Sequence, residues 1–197
     1  LKEGLPERKI KVIYPGIETQ KFSPSLQERE KWRRSWKVKE NELVIGSVGR
    51  LHPVKRFDVF LQALPRLNFP YRAVLIGDGP ERKKLCSLAK KLKAKVLFLG
   101  ERKDVSSILN GIDIFVLCSE WEGFPLALVE AGANRKVIVA TAVGGIPEFV
   151  RHKETGWLIE KPSANLLARA LNLLASSPRL REQLAQNAWQ KALEFDT

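Results

Sequence analysis

Glu122 and Glu130 close the two ends of a segment reading Glu-Gly-Phe-Pro-Leu-Ala-Leu-Val-Glu, and Glu130 is the only charge between Gly123 and Asn134. A carboxylate in the middle of an apolar helix costs several kcal/mol unless something pairs with it, which makes Glu130 a site candidate. Leu126, Val129, Glu130 and Ala133 fall at i, i+3, i+4 and i+7, so the carboxylate shares a stripe with packing residues. Pro125 suits a first helical turn, and the N–H groups around Phe124, Leu126 and Ala127 would then point into the preceding loop. Helix ends of this kind bind anions. One short segment thus offers a carboxylate at Glu122, a phosphate-sized cradle of N–H groups and a second carboxylate. The alternative is a helix carrying one satisfied buried Glu.

Two cations stand at a second candidate loop. The apolar run 43–48 ends in Gly49-Arg50-Leu51-His52-Pro53-Val54-Lys55, where Arg50 supplies a planar fork and Lys55 a point charge, a combination suited to clamping a diphosphate. An ordinary basic loop would read the same way in isolation. Gly77-Asp78-Gly79-Pro80 resembles half of a dinucleotide fingerprint, but Arg82 stands where the third Gly belongs. It is expected to form a tight turn near a nucleotide. With only His52 and His152 present, neither a Ser-His-Asp arrangement nor a zinc-ligand spacing can be assembled. Walker-type Gly-Lys-Ser/Thr and an Asp-x-Asp pair are missing too, so no metal is expected. Any nucleotide diphosphate would be neutralised by Arg50, Lys55 and the amides of 124–127.

Elements that could position these residues follow from the hydrophobic pattern. Residues 11–14, 43–48, 73–76, 96–99, 112–117 and 137–140 read as strands, several apolar on both faces, as parallel strands covered by helices are. Helices are expected over 24–36, 57–67, 81–92, 105–109, 126–133, 164–174 and 179–193. The alternation predicts an α/β fold, a doubly wound parallel sheet whose ligand crevice lies at the carboxyl ends of its strands. Gly49, Gly77, Gly79, Gly100, Gly123, Gly144 and Gly145 cluster where those ends should be.

Residues 1–197, with 44% hydrophobic content, are enough for one domain with one full core. No run long enough to span a membrane and no leader is visible. Cys86 and Cys118 are isolated and lie in apolar segments, as buried thiols in the cytoplasm do. A chain opening on Leu1 and lacking Met is expected to be a piece of a longer one. Its net charge of +12, from 34 basic and 22 acidic residues, asks for an acidic partner. Between Arg82 and Lys95 the lysines surround a stripe of Leu85, Leu88, Ala89 and Leu92, which reads as a solvated helix docked by its apolar face. No aromatics interleave these lysines, so nucleic acid is not expected. Trp32 and Trp36, set among Arg29, Lys31, Arg33, Arg34 and Lys37, form a candidate membrane-facing surface.

Assembled, the residues resemble the C-terminal, donor-binding half of a GT-B glycosyltransferase of retaining family 4. The resemblance runs nearly end to end: Val12-Ile13-Tyr14-Pro15-Gly16-Ile17, Gly49-Arg50-Leu51 with Lys55, Gly77-Asp78-Gly79-Pro80-Glu81, Phe98-Leu99-Gly100, the Glu-x7-Glu segment 122–130, Gly144-Gly145-Ile146-Pro147-Glu148 and Thr155-Gly156. It implies a Rossmann-like domain whose Arg50 and Lys55 hold the donor diphosphate. Glu122 and the backbone of Gly123, Phe124, Pro125 and Leu126 would then meet the transferred sugar, and Glu130 the ribose. Glu101 and Arg102, in the loop 100–104, would lie near the base beside Gly77 and Gly79, with 144–148 structural. The resemblance further implies a nucleotide-sugar as substrate without a cofactor, an acceptor such as a glycan, lipid or polysaccharide, and an N-terminal domain outside this chain, with contact to a membrane surface open. This half alone would transfer poorly or not at all. A sugar epimerase or storage-polysaccharide synthase shares the same plan, and a basic nucleic-acid or membrane-surface module stays as the alternative from another class. Asn134-Arg135-Lys136 departs from the small or Gly-containing turn usual after this helix.

Overall fold

A computed structural model of the chain describes residues 13–197. Six strands, β1 (Leu43–Val48), β2 (Tyr71–Ile76), β3 (Val96–Gly100), β4 (Ile114–Leu117), β5 (Val137–Thr141) and β6 (Trp157–Ile159), form one sheet in the order β3-β2-β1-β4-β5-β6 with every neighbouring pair parallel. The expected doubly wound α/β sheet is present. Alternation along each strand divides the core in two. Ile45, Ala73, Leu75, Ile114, Val116, Val137 and Val139 face one side. Val44, Val74, Ile76, Phe115, Leu117, Ile138 and Ala140 face the other.

Helices α2 (Phe57–Ala63), α3 (Arg82–Lys91) and α7 (Ala164–Ala175) cover the first face. The second is covered by α1 (Leu26–Ser35), α4 (Val105–Leu109), α5 (Leu126–Ala133) and the short α6 (Ile146–Phe149). The last helix, α8 (Pro178–Leu193), passes between them: Leu184 packs in the first cluster, Ala188 and Ala192 in the second. On α3, Leu85 and Ala89 are buried while the lysines face out, as the stripe predicted. Ser25 caps α1, its hydroxyl accepting from the Glu28 N–H at 3.3 Å. The expected helix over 57–67 ends at Ala63 and tightens into a 3-10 turn at Leu64–Arg66, because Pro65 has no N–H for the α-helical pattern.

Several expectations are corrected. Of the strand expected at 11–14, residues 11 and 12 lie outside the described residues, and Ile13 and Tyr14 are not in a strand; the pairing falls further on, where Ile17 bridges Asp196. The run 112–117 becomes strand only from Ile114, Ile112 being wholly buried in the turn before it. Trp36 is 5% exposed and belongs to the core, and the Trp32 indole donates to the Ser107 hydroxyl at 2.7 Å. These two rings dock α1 on α4 and do not form a free membrane-facing surface. Cys118 is buried as expected, but Cys86 is only half-buried, and both thiols are free.

Candidate functional site

The sheet order reverses between β1 and β4, and the crevice at such a switch point is where doubly wound sheets bind ligands. The loops leaving these two strands carry Arg50, Lys55 and the 122–125 segment, while Gly77 and Gly79 follow β2, Glu101 and Arg102 follow β3, and Glu130 lies within α5. A 3-10 turn at Pro53–Lys55 shapes the first, and the Glu120 N–H donates to the Val54 carbonyl at 2.8 Å, tying it to the second. Across this seam Lys55 Nζ meets Glu122 Oε1 at 2.6 Å. Ser119 donates its hydroxyl to the same oxygen. The Ser119 carbonyl in turn accepts from the Thr141 hydroxyl at 2.6 Å, so Glu122 is held from β4, from β5 and from the β1 loop. An ammonium has three donors and Glu122 takes one, leaving Lys55 able to serve a further oxygen.

Beyond Glu122 the chain runs over Gly123 and Phe124 to Pro125, which takes the N-cap position of α5 with extended φ and ψ of −81° and 100°. Pro125 therefore precedes the helix and is not its first residue. No side chain caps this end, and among the described residues no acceptor meets the Leu126 or Ala127 N–H. The Phe124 ring turns away, packing 5.1 Å from Tyr14 and 5.2 Å from Phe195 between centroids, which anchors the loop from behind. Glu130 is half-buried and has neither hydrogen bond nor ion pair among the described residues. Its burial alone pushes the carboxyl above the usual carboxylate range.

Arg50, Gly77, Gly79, Glu101 and Arg102 line a common cleft of about 510 Å³ with Val48, Gly49 and Asp78. Arg50 is exposed and has no ion pair among the described residues. Asp78 accepts from the Gly79 N–H at 2.7 Å and pairs with Arg82 at 3.0 Å; Arg102 pairs with Asp104 at 2.6 Å. At Gly77 a Cβ would overlap the Gly49 carbonyl oxygen, so the two loops meet backbone to backbone. Lys55, Glu122 and Glu130 lie outside this lining, and the loop from Gly49 to Lys55 joins the two groups. A larger cavity of about 620 Å³, at β6 and α7, contains none of the predicted residues. Among the described residues no three His, Cys, Asp or Glu side chains are grouped to hold a metal ion.

Residues 28–191 match the model of the family described as glycosyl transferases group 1. The chain belongs to this family. Its fold is the Rossmann-like half of the GT-B glycosyltransferase plan. The chain is 34% identical over 196 residues to the Campylobacter jejuni N,N'-diacetylbacillosaminyl-diphospho-undecaprenol alpha-1,3-N-acetylgalactosaminyltransferase, covering 98% of this chain and 52% of that one. Similarity to the Bacillus anthracis N-acetyl-alpha-D-glucosaminyl L-malate synthase is 30%, over 96% of this chain and 49% of the relative. The chain thus spans about half the length of the curated relatives it matches. Among solved structures, the Anabaena protein HepE in complex with UDP-glucose superposes with a TM-score of 0.91 at 29% identity, over 98% of this chain and 55% of HepE. The C-terminal domain of a Francisella tularensis glycosyl transferase group 1 family protein superposes with 0.80 at 29% identity, over 91% of this chain and 97% of that domain.

In this glycosyl transferases group 1 chain, two positions escaped the sequence reading, and two that it named acquire a partner. Ser119 and Thr141 orient Glu122 through two hydrogen bonds, although in the sequence each is an unremarkable hydroxyl near a strand end. Gly144 and Gly145 lie directly on the Glu122 loop: a Cβ at either would overlap the carbonyl oxygen of Glu122 or Gly123, and the Gly145 N–H donates to the Glu122 carbonyl at 3.2 Å. The turn at Gly144 and Gly145 thus packs backbone to backbone on the loop of Glu122.

Proposed function

We propose that this chain is the donor-binding half of a retaining glycosyltransferase, moving a sugar from a nucleotide-sugar to an acceptor such as a glycan, lipid or polysaccharide. The observation carrying this reading is the Lys55–Glu122 contact, which ties the loop of Arg50 to the segment that leads into the open amides of α5 and on to the unpartnered carboxylate of Glu130. Arg50 and Lys55 take the diphosphate with the Leu126 and Ala127 amides, which puts positive charge where the leaving phosphate gains negative charge as the sugar bond breaks. Glu122, fixed by Lys55 and Ser119, faces the sugar with the Gly123–Leu126 backbone. Glu130 accepts from the ribose hydroxyls, the natural occupants of a half-buried carboxylate with free lone pairs. Gly77, Gly79, Glu101 and Arg102 form the wall beside the base. The reading assigns no metal ion or cofactor to this half, since cations and amides meet the diphosphate.

Support comes from the HepE structures, described as complexes with UDP and with UDP-glucose. Acceptor and remaining catalytic contacts belong to an N-terminal domain outside this chain, and transfer requires it. Two free cysteines suit a cytoplasmic location. No helix among the described residues is long and apolar enough to cross a membrane. Calorimetric titration with UDP, GDP and ADP and their sugar conjugates tests the proposal. Selective, saturable binding of one nucleotide is expected. Equal, salt-labile binding of all three and of polyphosphate would replace it with a basic surface.

A further inference from the structure

The turn Asn134-Arg135-Lys136, unusual for its place, opens on a cavity that plays no part in donor binding. It lies at the opposite end of the sheet, before the first residues of β4 and β5, has a volume of about 360 Å³ and is lined by Arg29, Asp113, Arg135, Lys136, Arg181 and Glu182 among others. Lys136 is 7% exposed. Among the described residues no acceptor lies within hydrogen-bond distance of its ammonium. The one buried carboxylate at hand, Asp113, is already committed: Oδ1 accepts from Arg29 at 2.6 Å, and Oδ2 from Arg33 at 2.8 Å and from the Val44 N–H at 2.7 Å. Glu182 is exposed on α8. Arg135 stacks 4.1 Å over Trp189, and Arg181 gives one nitrogen to the carbonyls of Leu174 and Ala175, leaving donors unused on both.

We infer that this cavity is a binding site for a phosphate-type oxyanion, either free or as a monoester, held by Lys136 with Arg29, Arg135 and Arg181. Cations outnumber carboxylates in the lining, and Lys136, 7% exposed, has lost most of its water without gaining an acceptor. Burial, aided by the Arg29 charge, lowers the Lys136 ammonium to about 7, and a bound anion would raise it again. Such a ligand would join α1, the turn before β4, the α5–β5 turn and α8.

The test is a titration of the nitrogen-15-labelled chain with inorganic phosphate and with methyl phosphate at fixed ionic strength, read by amide shifts. Asp113, Lys136 and Val137 report this cavity; Gly123 to Ala127 report the donor crevice. Saturable shifts at the first set are expected. In Lys136→Met, which replaces a buried ion by an apolar side chain of similar length, they should weaken by about tenfold or more, the worth of a charge-assisted hydrogen bond. Arg135→Ala, an exposed change, should weaken them about threefold, as loss of one partly solvated contact does. Methyl phosphate binding as well as phosphate identifies a monoester as the ligand type, and phosphate alone identifies the free ion. No saturable shift at Asp113, Lys136 and Val137, or equal affinity in the wild type and both variants, overturns the proposal.

Discussion

Replacing Lys55 separates its two roles, holding Glu122 and meeting a diphosphate. Its side chain is 23% exposed and that of Glu122 10%, so the pair is largely but not wholly withdrawn from water. Removing one partner of a fully buried pair costs about 3–5 kcal/mol. The residual exposure of Lys55, and the Ser119 hydroxyl that remains on Glu122, bring the expectation for Lys55→Met to about 2 kcal/mol, midway to the ~0–1 kcal/mol of an exposed pair. In a chain of this size that lowers the melting midpoint by about 4–8 °C. Glu122→Gln on its own should cost less, and the double variant should recover at least half of the Lys55→Met loss, since no unpaired buried carboxylate is left. Binding divides differently. Lys55→Met should weaken nucleoside diphosphate binding by about 1.5–3 kcal/mol, the range for a hydrogen bond to a charged group. Glu122→Gln, which frees the ammonium, should leave it unchanged or tighter. Urea unfolding and isothermal calorimetry on the three variants measure both. Additivity of the stability effects to within about 0.5 kcal/mol would show that the pair is not a coupled unit. Unchanged nucleotide affinity in Lys55→Met would remove Lys55 from the clamp.

Other consequences are equally direct. Glu130→Gln should weaken binding of the intact nucleotide more than of pyrophosphate, which has no ribose; equal calorimetric losses would make Glu130 a structural residue. Because burial raises the Glu130 carboxyl, the folded chain takes up this proton at higher pH than the unfolded one, so its contribution to stability is full below the ordinary value of about 4.3 and declines as pH rises through the raised value. Glu130→Gln should flatten that part of the stability profile and make the chain more stable at pH 7, which denaturant melts across pH would show. Gly144→Ala places a side chain at φ +52° against the Glu122 carbonyl and should lower both melting temperature and nucleotide-sugar affinity, whereas Gly123→Ala, with nothing within 4 Å of its Cβ, should leave the melt unchanged. In the folded chain a thiol reagent should modify Cys86 and spare Cys118, whose thiol burial pushes up to about 12; mass spectrometry of the labelled peptides reads this.

The sheet was readable because β4 and β5 are short apolar runs buried on both faces, a pattern that few other arrangements produce. Both α4 and α5 begin and end at the residues the periodicity indicated. What escaped was short or relational. β6 has three residues and α6 four, below the length at which a period can be counted. The charge on Glu130 could be recognised as out of place from its neighbours alone. That Lys55 and Glu122 hold each other could not, because their contact depends on how two loops 67 residues apart in sequence are aligned by β1 and β4. Trp32 and Trp36 suggested a surface because basic residues flank them; the contacts that bury them come from α4 and the turn at Gly111, distant in the chain.

The backbone arrives along residues 16–19 beside the segment that leaves after α8: the Ile17 N–H donates to the Phe195 carbonyl at 2.9 Å, the Thr197 N–H to the Ile17 carbonyl at 3.2 Å, and the Thr19 hydroxyl to Asp196 at 2.7 Å. The two segments are clasped together, and the rings of Tyr14 and Phe195 beside them bear on Phe124. A change at Tyr14 or Phe195 therefore meets the Glu122 loop at Phe124, two residues along the chain from Glu122 itself.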